Sequence, residues 1–383
     1  MLGFMQQIEL PNTMIIMPTD IHPKGSPSSQ VWVIVEKPYA GDKDKNFLFS
    51  CGYGYIFDKM MREAGIPDYY VVSRFPDLDD PHSSHDIFSD LEHYKPPIII
   101  PLEESGKFLC SELEKKFSKK KNFNDKDSDI AKYAGSLLVS PHLSYPHYII
   151  PSFAPDTIIK DWSLRDIVVS LDLGKCRSEL DYFRKNGRLQ PLPERTLKYE
   201  IEDYEELCSY LERFEKSSLL SNDIETVYTN TKSAYYPHPG YPITIGLADS
   251  IDFGISFNLF REKKNETRDL FRRLFNLFRK VPQLGQNFFN FDLFRYEALG
   301  FTFDLGNVVD TLIRHHILWP ELSHKLQFQT RQYTRQPYYK DEGKMWNMKD
   351  MKQLRRYNCL DVCITMEVYL EQEKEFNERP YLR

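Results

Sequence analysis

An α/β fold in two domains is what this sequence predicts, and three observations predict it. Short apolar runs rich in Val and Ile alternate with segments whose apolar residues recur at helical spacing, the pattern of layered α/β domains. The chain is 383 residues long, a length that suits two such domains better than one. Between two such series lies the run 186–195 (NGRLQPLPER), where Pro191 and Pro193 exclude helix and stiffen a linker. The expected domains are therefore 1–190 and 197–383.

In the first domain, residues 30–36 (QVWVIVE) read as a strand and 37–50 as a polar loop. Over 52–64, Ile56, Phe57, Met60 and Met61 share one helical face. An apolar run at 97–101 (PIIIP), a helix over 103–117 and a charged loop over 118–129 follow. SLLVS from Ser136 and HYIIP from His147 read as strands, and 162–185 as a helix with Leu164, Ile167, Val168 and Leu171 on one stripe. The second domain opens with a strand at 197–201 and a helix at 204–216. A strand at 219–226 (LLSNDIET) comes next, with ITIGLADS from Ile243 and FGISF from Phe253 as antiparallel neighbours. The helix at 266–280 turns Leu270, Phe271, Leu274, Phe275 and Phe278 inward. Helices are expected over 308–318, 323–333 and 348–377.

Bulk properties exclude several classes. A net charge of −6 rules out a basic nucleic-acid coat, so a polyanion would have to be met by a local patch or through metal. Six scattered cysteines without a C-x-x-C pair imply neither a disulfide framework nor a zinc or iron–sulfur site. Cys359 and Cys363, four apart on a helix, read as a buried thiol pair. No apolar run reaches membrane length, and the first 20 residues lack a basic start followed by an apolar core. The expectation is a soluble, cytoplasmic protein without a membrane partner.

The chemistry concentrates in three acidic stations. Strand side chains alternate faces, so Asp223 and Glu225 point the same way at the end of their strand. Two carboxylates held side by side repel unless a cation lies between them, and hard divalent ions take oxygen ligands of this kind. Alone, this triplet reads better as a solvated turn after a core strand. The second station is GQNFFNFD, 285–292, where a helix begins after an apolar stretch. The third is YNCLD, where Tyr357 and Asp361 lie four apart on one helix face. From Asp223 to Asp292, and again from Asp292 to Asp361, is 69 residues.

The ordered trio, first on a strand and last on a helix, resembles the DEDD superfamily of 3′–5′ exonucleases, in the subtype with tyrosine in the third motif. The resemblance runs from about Leu197 to the C-terminus and implies an RNase H-like fold, a mixed sheet flanked by helices. Asn287 stands five before Asp292 where many members place it four before, closer to the B-family polymerase form. The resemblance implies two divalent metal ions, Mg2+ or Mn2+. Asp223 would bridge both, Glu225 and Asp361 would complete the first site, and Asp292 would hold the second, partly through water. Tyr357 would orient the attacking water, and the products would be nucleoside 5′-monophosphates.

Residues 325–356 interleave Lys325, Arg331, Arg335, Lys340, Lys344, Lys349, Lys352, Arg355 and Arg356 with Tyr333, Tyr338, Tyr339 and Trp346. Such a mixture suits phosphates and stacked bases of a single strand; it equally suits a solvated helical face. Asn287, Phe291, Arg331, Arg335 and Lys340 are the expected substrate contacts. Asp310 reads as the cap of the helix it begins. His315 and His316, adjacent, do not read as ligands.

The stretch from Asp310 through WPELSHKLQFQTRQYTRQPYYKDEG is similar to the exonuclease region of certain phage A-family DNA polymerases, in which a uracil-DNA-glycosylase-like domain precedes the exonuclease. From Val35, VEKPYAGDKDKNFLFSCGYGYIFDKMM is similar to the first motif of family IV uracil-DNA glycosylases. Glu36, Pro38, Phe49, Gly54 and Asp58 keep their places there. Phe49 would stack on a flipped base. Tyr39 replaces a glycine, Ala154 stands where the late motif has histidine, and the iron–sulfur cysteines have no counterpart. The first domain is thus expected to be a three-layer glycosylase-like α/β scaffold, degenerate at its pocket and without uracil excision. Only 22 residues follow Asp361, too few for a polymerase palm.

The expected function is that of a 3′–5′ exodeoxyribonuclease, the proofreading module of a phage-type polymerase system, acting on single-stranded or frayed 3′ ends of DNA inside the infected host cell. A separate polymerase subunit, or a longer polymerase of which this chain is a piece, follows from that reading. The alternatives are an RNA-processing exonuclease of the same fold and a non-catalytic DNA-binding replisome module.

Overall fold

Every residue of strand β1 (Val31–Val35) is buried, as in strands that are covered on both faces. The computed structural model describes residues 21–77, 84–106, 109, 130–227, 240–341 and 351–382, and the chain divides into two compact units, 1–190 and 191–383. In the first unit, β1 is joined by β2 (Tyr70–Ser73), β3 (Ile98–Pro101) and β4 (Tyr148–Ile149) in a sheet of order β2-β1-β3-β4. All three pairings are parallel.

Around this sheet lie helices α1 (Gly52–Glu63), α2 (Ile87–Tyr94), α3 (Ile130–Tyr133), α4 (Pro155–Lys160) and α5 (Leu164–Ile167). A wide π turn, Val168–Leu173, carries α5 into α6 (Gly174–Asn186). Phe57, Met60 and Met61 form the buried face of α1. Asp86 caps α2 by accepting from the Ser89 N–H. Trp32, Ile34, Val72, Leu91 and Ile99 meet in one core cluster.

Several expectations need correction here. β2 and α2 lie where the sequence pattern predicts no element, because YVVS is too short to show a period. SLLVS is not a strand; of it only Leu138 bridges, antiparallel, to Ile149. The helix expected over 162–185 is broken by the π turn. The helix expected at 103–117 falls largely, and the charged loop at 118–129 wholly, outside the described residues.

The second unit is built on β6 (Leu220–Val227), whose neighbours are β7 (Tyr241–Ala248), antiparallel, and β9 (Gln283–Gly285), parallel. With β5 (Thr196–Lys198), β8 (Phe253–Asn258) and β10 (Val308–Asp310) the sheet has the order β10-β9-β6-β7-β8-β5. β7 and β8 pair antiparallel, while β5–β8 and β9–β10 pair parallel. The second unit is thus an α/β domain whose mixed sheet is flanked by helices, as expected of this half.

On one face, α7 (Tyr204–Phe214) and α8 (Lys264–Lys280) bury Leu207, Leu211, Phe214, Leu270, Leu274, Leu277 and Phe278 with Ile224, Ile245 and Leu247 of the sheet. α9 (Asp292–Ala298) and α10 (Thr311–Leu318) follow β9 and β10. α11 (Leu326–Tyr333) packs with α12 (Lys352–Glu378) through Leu326, Leu360, Ile364 and Val368. α12 crosses β6, β7 and β8, and its Val362 and Cys363 pack against Ala248. Cys359 and Cys363 are buried free thiols.

The helix expected over 308–318 begins only at Thr311. Val308 and Val309 are β-branched and extend the sheet beside β9 instead. Lys344, Trp346 and Lys349 lie outside the described residues.

Candidate active site

Asp223 and Glu225 stand on the same side of β6, opposite Gly246 and Thr244 of β7, just before a bulge between Glu225 and Thr226. Their neighbour Ile224 turns into the core, and Asn222 donates to the Gln283 side chain at 2.6 Å. The period of two that buries Ile224 is therefore what presents both acids on the face crossed by α12.

The helix comes close enough to matter because two strand residues lack side chains. A Cβ on Gly246 would lie 2.7 Å from the Asn358 Oδ1, and one on Gly254 would lie 2.7 Å from the Cys363 Sγ. With α12 seated there, Asp361 reaches the strand acids: Asp223, Glu225 and Asp361 each offer an oxygen within 4.8 Å of the others. Three carboxylates so arranged could hold a metal ion.

Asp292 lies beside this trio rather than in it. At the first position of α9, it is buried and accepts from the Ile224 N–H at 3.3 Å. Charge repulsion links it to the cluster, since Asp223 helps raise its pKa after burial has done most of the work. Burial, then the Asp361 charge, pushes the Asp223 carboxyl up to about 7. Burial and the Asp223 charge hold Glu225 well above the usual carboxylate range. A cation among these groups would relieve the repulsion.

Further side chains hold the acids in place; sequence reasoning named Asp310 as a helix cap and Tyr339 in the basic–aromatic stretch, but not Asn358. Asn358 donates to the Asp223 Oδ2 at 2.8 Å and to its backbone oxygen at 3.3 Å. Its own oxygen accepts from the Ser256 hydroxyl at 2.7 Å. The Tyr339 hydroxyl donates to the Asp361 Oδ1. Asp310 caps α10 through the Leu312 N–H at 2.9 Å and also accepts from the Asn287 N–H at 2.9 Å. It thereby fixes the turn that leads into Asp292. Asn358 was detectable only as the residue between Tyr357 and Cys359 in YNCLD; its part depends on Gly246, which no spacing rule connects to it.

The expected substrate contacts disperse. Asn287 adopts a left-handed conformation, φ 60°, in the turn held by Asp310. Phe291 lies under the Arg295 guanidinium, 3.5 Å from its ring centre. Arg331 lies 5.8 Å over the Phe328 ring, and Arg335 donates to the Pro191 oxygen at 2.5 Å. Lys340, also among the expected substrate contacts, is turned inward: its ammonium binds Asp361 and the Tyr357 hydroxyl. Burial, then the Asp361 charge, raises the Tyr357 pKa. His315 and His316 both face His324, at 2.7 and 3.0 Å.

In the first unit, Phe49 is buried with φ 54°. Gly54 is required behind it, since a Cβ there would lie 2.0 Å from the Phe49 oxygen. The Tyr39 ring stacks on Phe49 with centres 5.9 Å apart, and its hydroxyl donates to Asp156 at 3.1 Å. Glu36 pairs with Arg74 at 3.1 Å, Pro38 is buried, and the Ala154 N–H donates to Glu103 at 3.2 Å.

Among the described residues, no helix is long and apolar enough to cross a membrane. No family model and no curated protein matches the chain. Solved structures do: the catalytic core of RRP6 from Trypanosoma brucei is 13% identical with a TM-score of 0.39, and the match covers 50% of this chain and 52% of that one. The Nibbler EXO domain of Aedes aegypti is 14% identical with a TM-score of 0.39, covering 50% and 93%. The POL domain of Pol1 from M. smegmatis, in complex with DNA primer-template and dNTP, is 12% identical with a TM-score of 0.35, covering 46% and 27%. The chain thus spans about half the length of the RRP6 core, most of the Nibbler domain and about a quarter of the Pol1 chain.

Proposed function

We propose that residues 197–383 are a metal-dependent 3′–5′ exonuclease that hydrolyses DNA from its 3′ end to nucleoside 5′-monophosphates. The observation that carries this reading is the convergence of Asp223, Glu225 and Asp361 from β6 and α12, with Asp292 beside them. The donor set fits the divalent ions that this activity needs. It is all oxygen, it repels itself when ionised, and burial together with the neighbouring carboxylates raises the pKa of Asp223 and of Glu225.

Asp223, Glu225 and Asp361 would hold one Mg2+ or Mn2+, and Asp223 with Asp292 a second. When bound, such ions make water nucleophilic near neutral pH and offset the charge that develops on the phosphate and leaving oxygen. The chain's own residues do the rest. Asn358 fixes the Asp223 carboxylate, and Tyr339 fixes that of Asp361. Tyr357, one turn before Asp361, directs its hydroxyl toward the same space and orients the attacking water. Asn287, Phe291, Arg331 and Arg335 remain candidate strand contacts.

Asp223→Ala should abolish Mn2+-dependent digestion of a 5′-labelled single-stranded DNA, a loss of at least about 10³-fold. Unchanged digestion would defeat the assignment. The same assay on RNA of equal sequence separates the DNA reading from RNA processing, and inactivity on both would favour a binding module. Residues 1–190 we take as a glycosylase-like scaffold that accompanies the nuclease in a phage-type polymerase system, with a polymerase subunit as partner. No uracil release from uracil-containing DNA is expected of it.

A further inference from the structure

The Lys340 ammonium sits among the acids, where a metal ion would be expected. It donates to the Asp361 Oδ2 at 2.7 Å, the Asp361 Oδ1 at 2.8 Å and the Tyr357 hydroxyl at 2.9 Å. An ammonium has three N–H donors, so all are engaged. Its side chain is 17% exposed, and its nitrogen lies 5.0 Å from the Tyr339 ring centre and 4.9 Å from that of Tyr357. This is not the mobile surface pair that contributes little.

The consequence for Asp361 follows from counting lone pairs. Each carboxylate oxygen offers two. On Oδ1 one is taken by Tyr339 and one by Lys340, and on Oδ2 one is taken by Lys340. Asp361 can then offer an incoming ion a single remaining lone pair, beside a positive charge only a few ångströms away.

We propose that Lys340 is a resident counter-cation of the acid cluster, which the first divalent ion displaces from Asp361. In the metal-free protein it offsets part of the charge of Asp223, Glu225 and Asp361 and keeps the Tyr357 hydroxyl pointed at the cluster. Metal loading is then an exchange of one cation for another, and it frees the Lys340 side chain. This rests on the metal-dependent reading above.

The test is acylation of the full-length protein by an amine-reactive reagent, read by mass spectrometry in EDTA and in saturating Mn2+, with Mn2+ affinity measured by calorimetry in parallel. Lys340 should be protected in EDTA and become at least fivefold more reactive with Mn2+. Lys263, whose side chain is 74% exposed, should not change. Lys340→Met should bind Mn2+ about tenfold more tightly, and Lys340→Arg, which keeps the charge, should bind as the wild type does. Mn2+ binding with Lys340 still protected would overturn the displacement and leave the metal site standing. Absence of Mn2+ binding in both wild type and Lys340→Met would overturn the metal reading itself and the displacement with it.

Discussion

A carboxyl group that is buried and then crowded by another carboxyl gives up its proton reluctantly, and Asp223, pushed up to about 7, shows what that does to stability. Its folded pKa is raised above the ordinary 3.8, so between those values the folded state binds more protons than the unfolded one. The stability contributed by its neutral form is complete below about pH 4 and is lost as pH rises toward 7. Asp223→Asn removes the liability together with the chemistry. In EDTA at pH 8 the variant should be more stable than wild type by about 2 kcal/mol, a rise in melting midpoint of roughly 4–8 °C. At pH 4 the two should melt together, and melts at both pH values check it. An equal difference at both would show that Asp223 is not held protonated. Strand alternation and an i,i+4 spacing show in the sequence that Asp223 shares a face with Glu225 and Tyr357 with Asp361, while only the resemblance of the ordered trio joins them and Asp292 into one set. The place of Lys340 was not legible there, since a lysine beside two tyrosines reads as surface until the Asp361 carboxylate is seen to draw it inward.

Helix α12 supplies Tyr357, Asn358 and Asp361 together, so the site depends on where one helix lies on the sheet. That depends on Gly246. Gly246→Ala would put a methyl 2.7 Å from the Asn358 Oδ1 and 2.9 Å from its backbone oxygen, and backbone cannot yield as a side-chain tip can. The variant should lose about 1–3 kcal/mol of stability and, with Asn358 displaced from Asp223, bind Mn2+ at least tenfold more weakly. Chemical denaturation and calorimetry check the two parts. Wild-type values for both would mean that α12 has room to spare. Strand β10 shows the limits of pattern reading at this level. VVD continues into a helical run, and only its pairing with β9 decides that Val308 and Val309 extend the sheet. That pairing places the Asp310 carboxylate where it caps α10 and anchors the turn before Asp292.

The two units tell opposite stories about their candidate sites. In residues 191–383 the acids converge and are braced by Asn358, Tyr339 and Asp310. In residues 1–190 the ring that would receive a base, Phe49, is covered by Tyr39, which Asp156 holds by its hydroxyl. The alternation of strands and helices was legible for much of both halves, because buried strands and amphipathic helices have strong patterns, while short elements such as β2 were not. What fills a pocket was not, because it is decided by contacts between distant segments. Everything proposed for the second unit requires that its acids hold divalent ions. The most direct measurement is anomalous scattering from crystals soaked in Mn2+ with a short oligonucleotide. One peak is expected among Asp223, Glu225 and Asp361, another beside Asp292, and the 3′ end next to Tyr357. Full Mn2+ soaking with no peak at these carboxylates, and Lys340 still bound to Asp361, would contradict that reading.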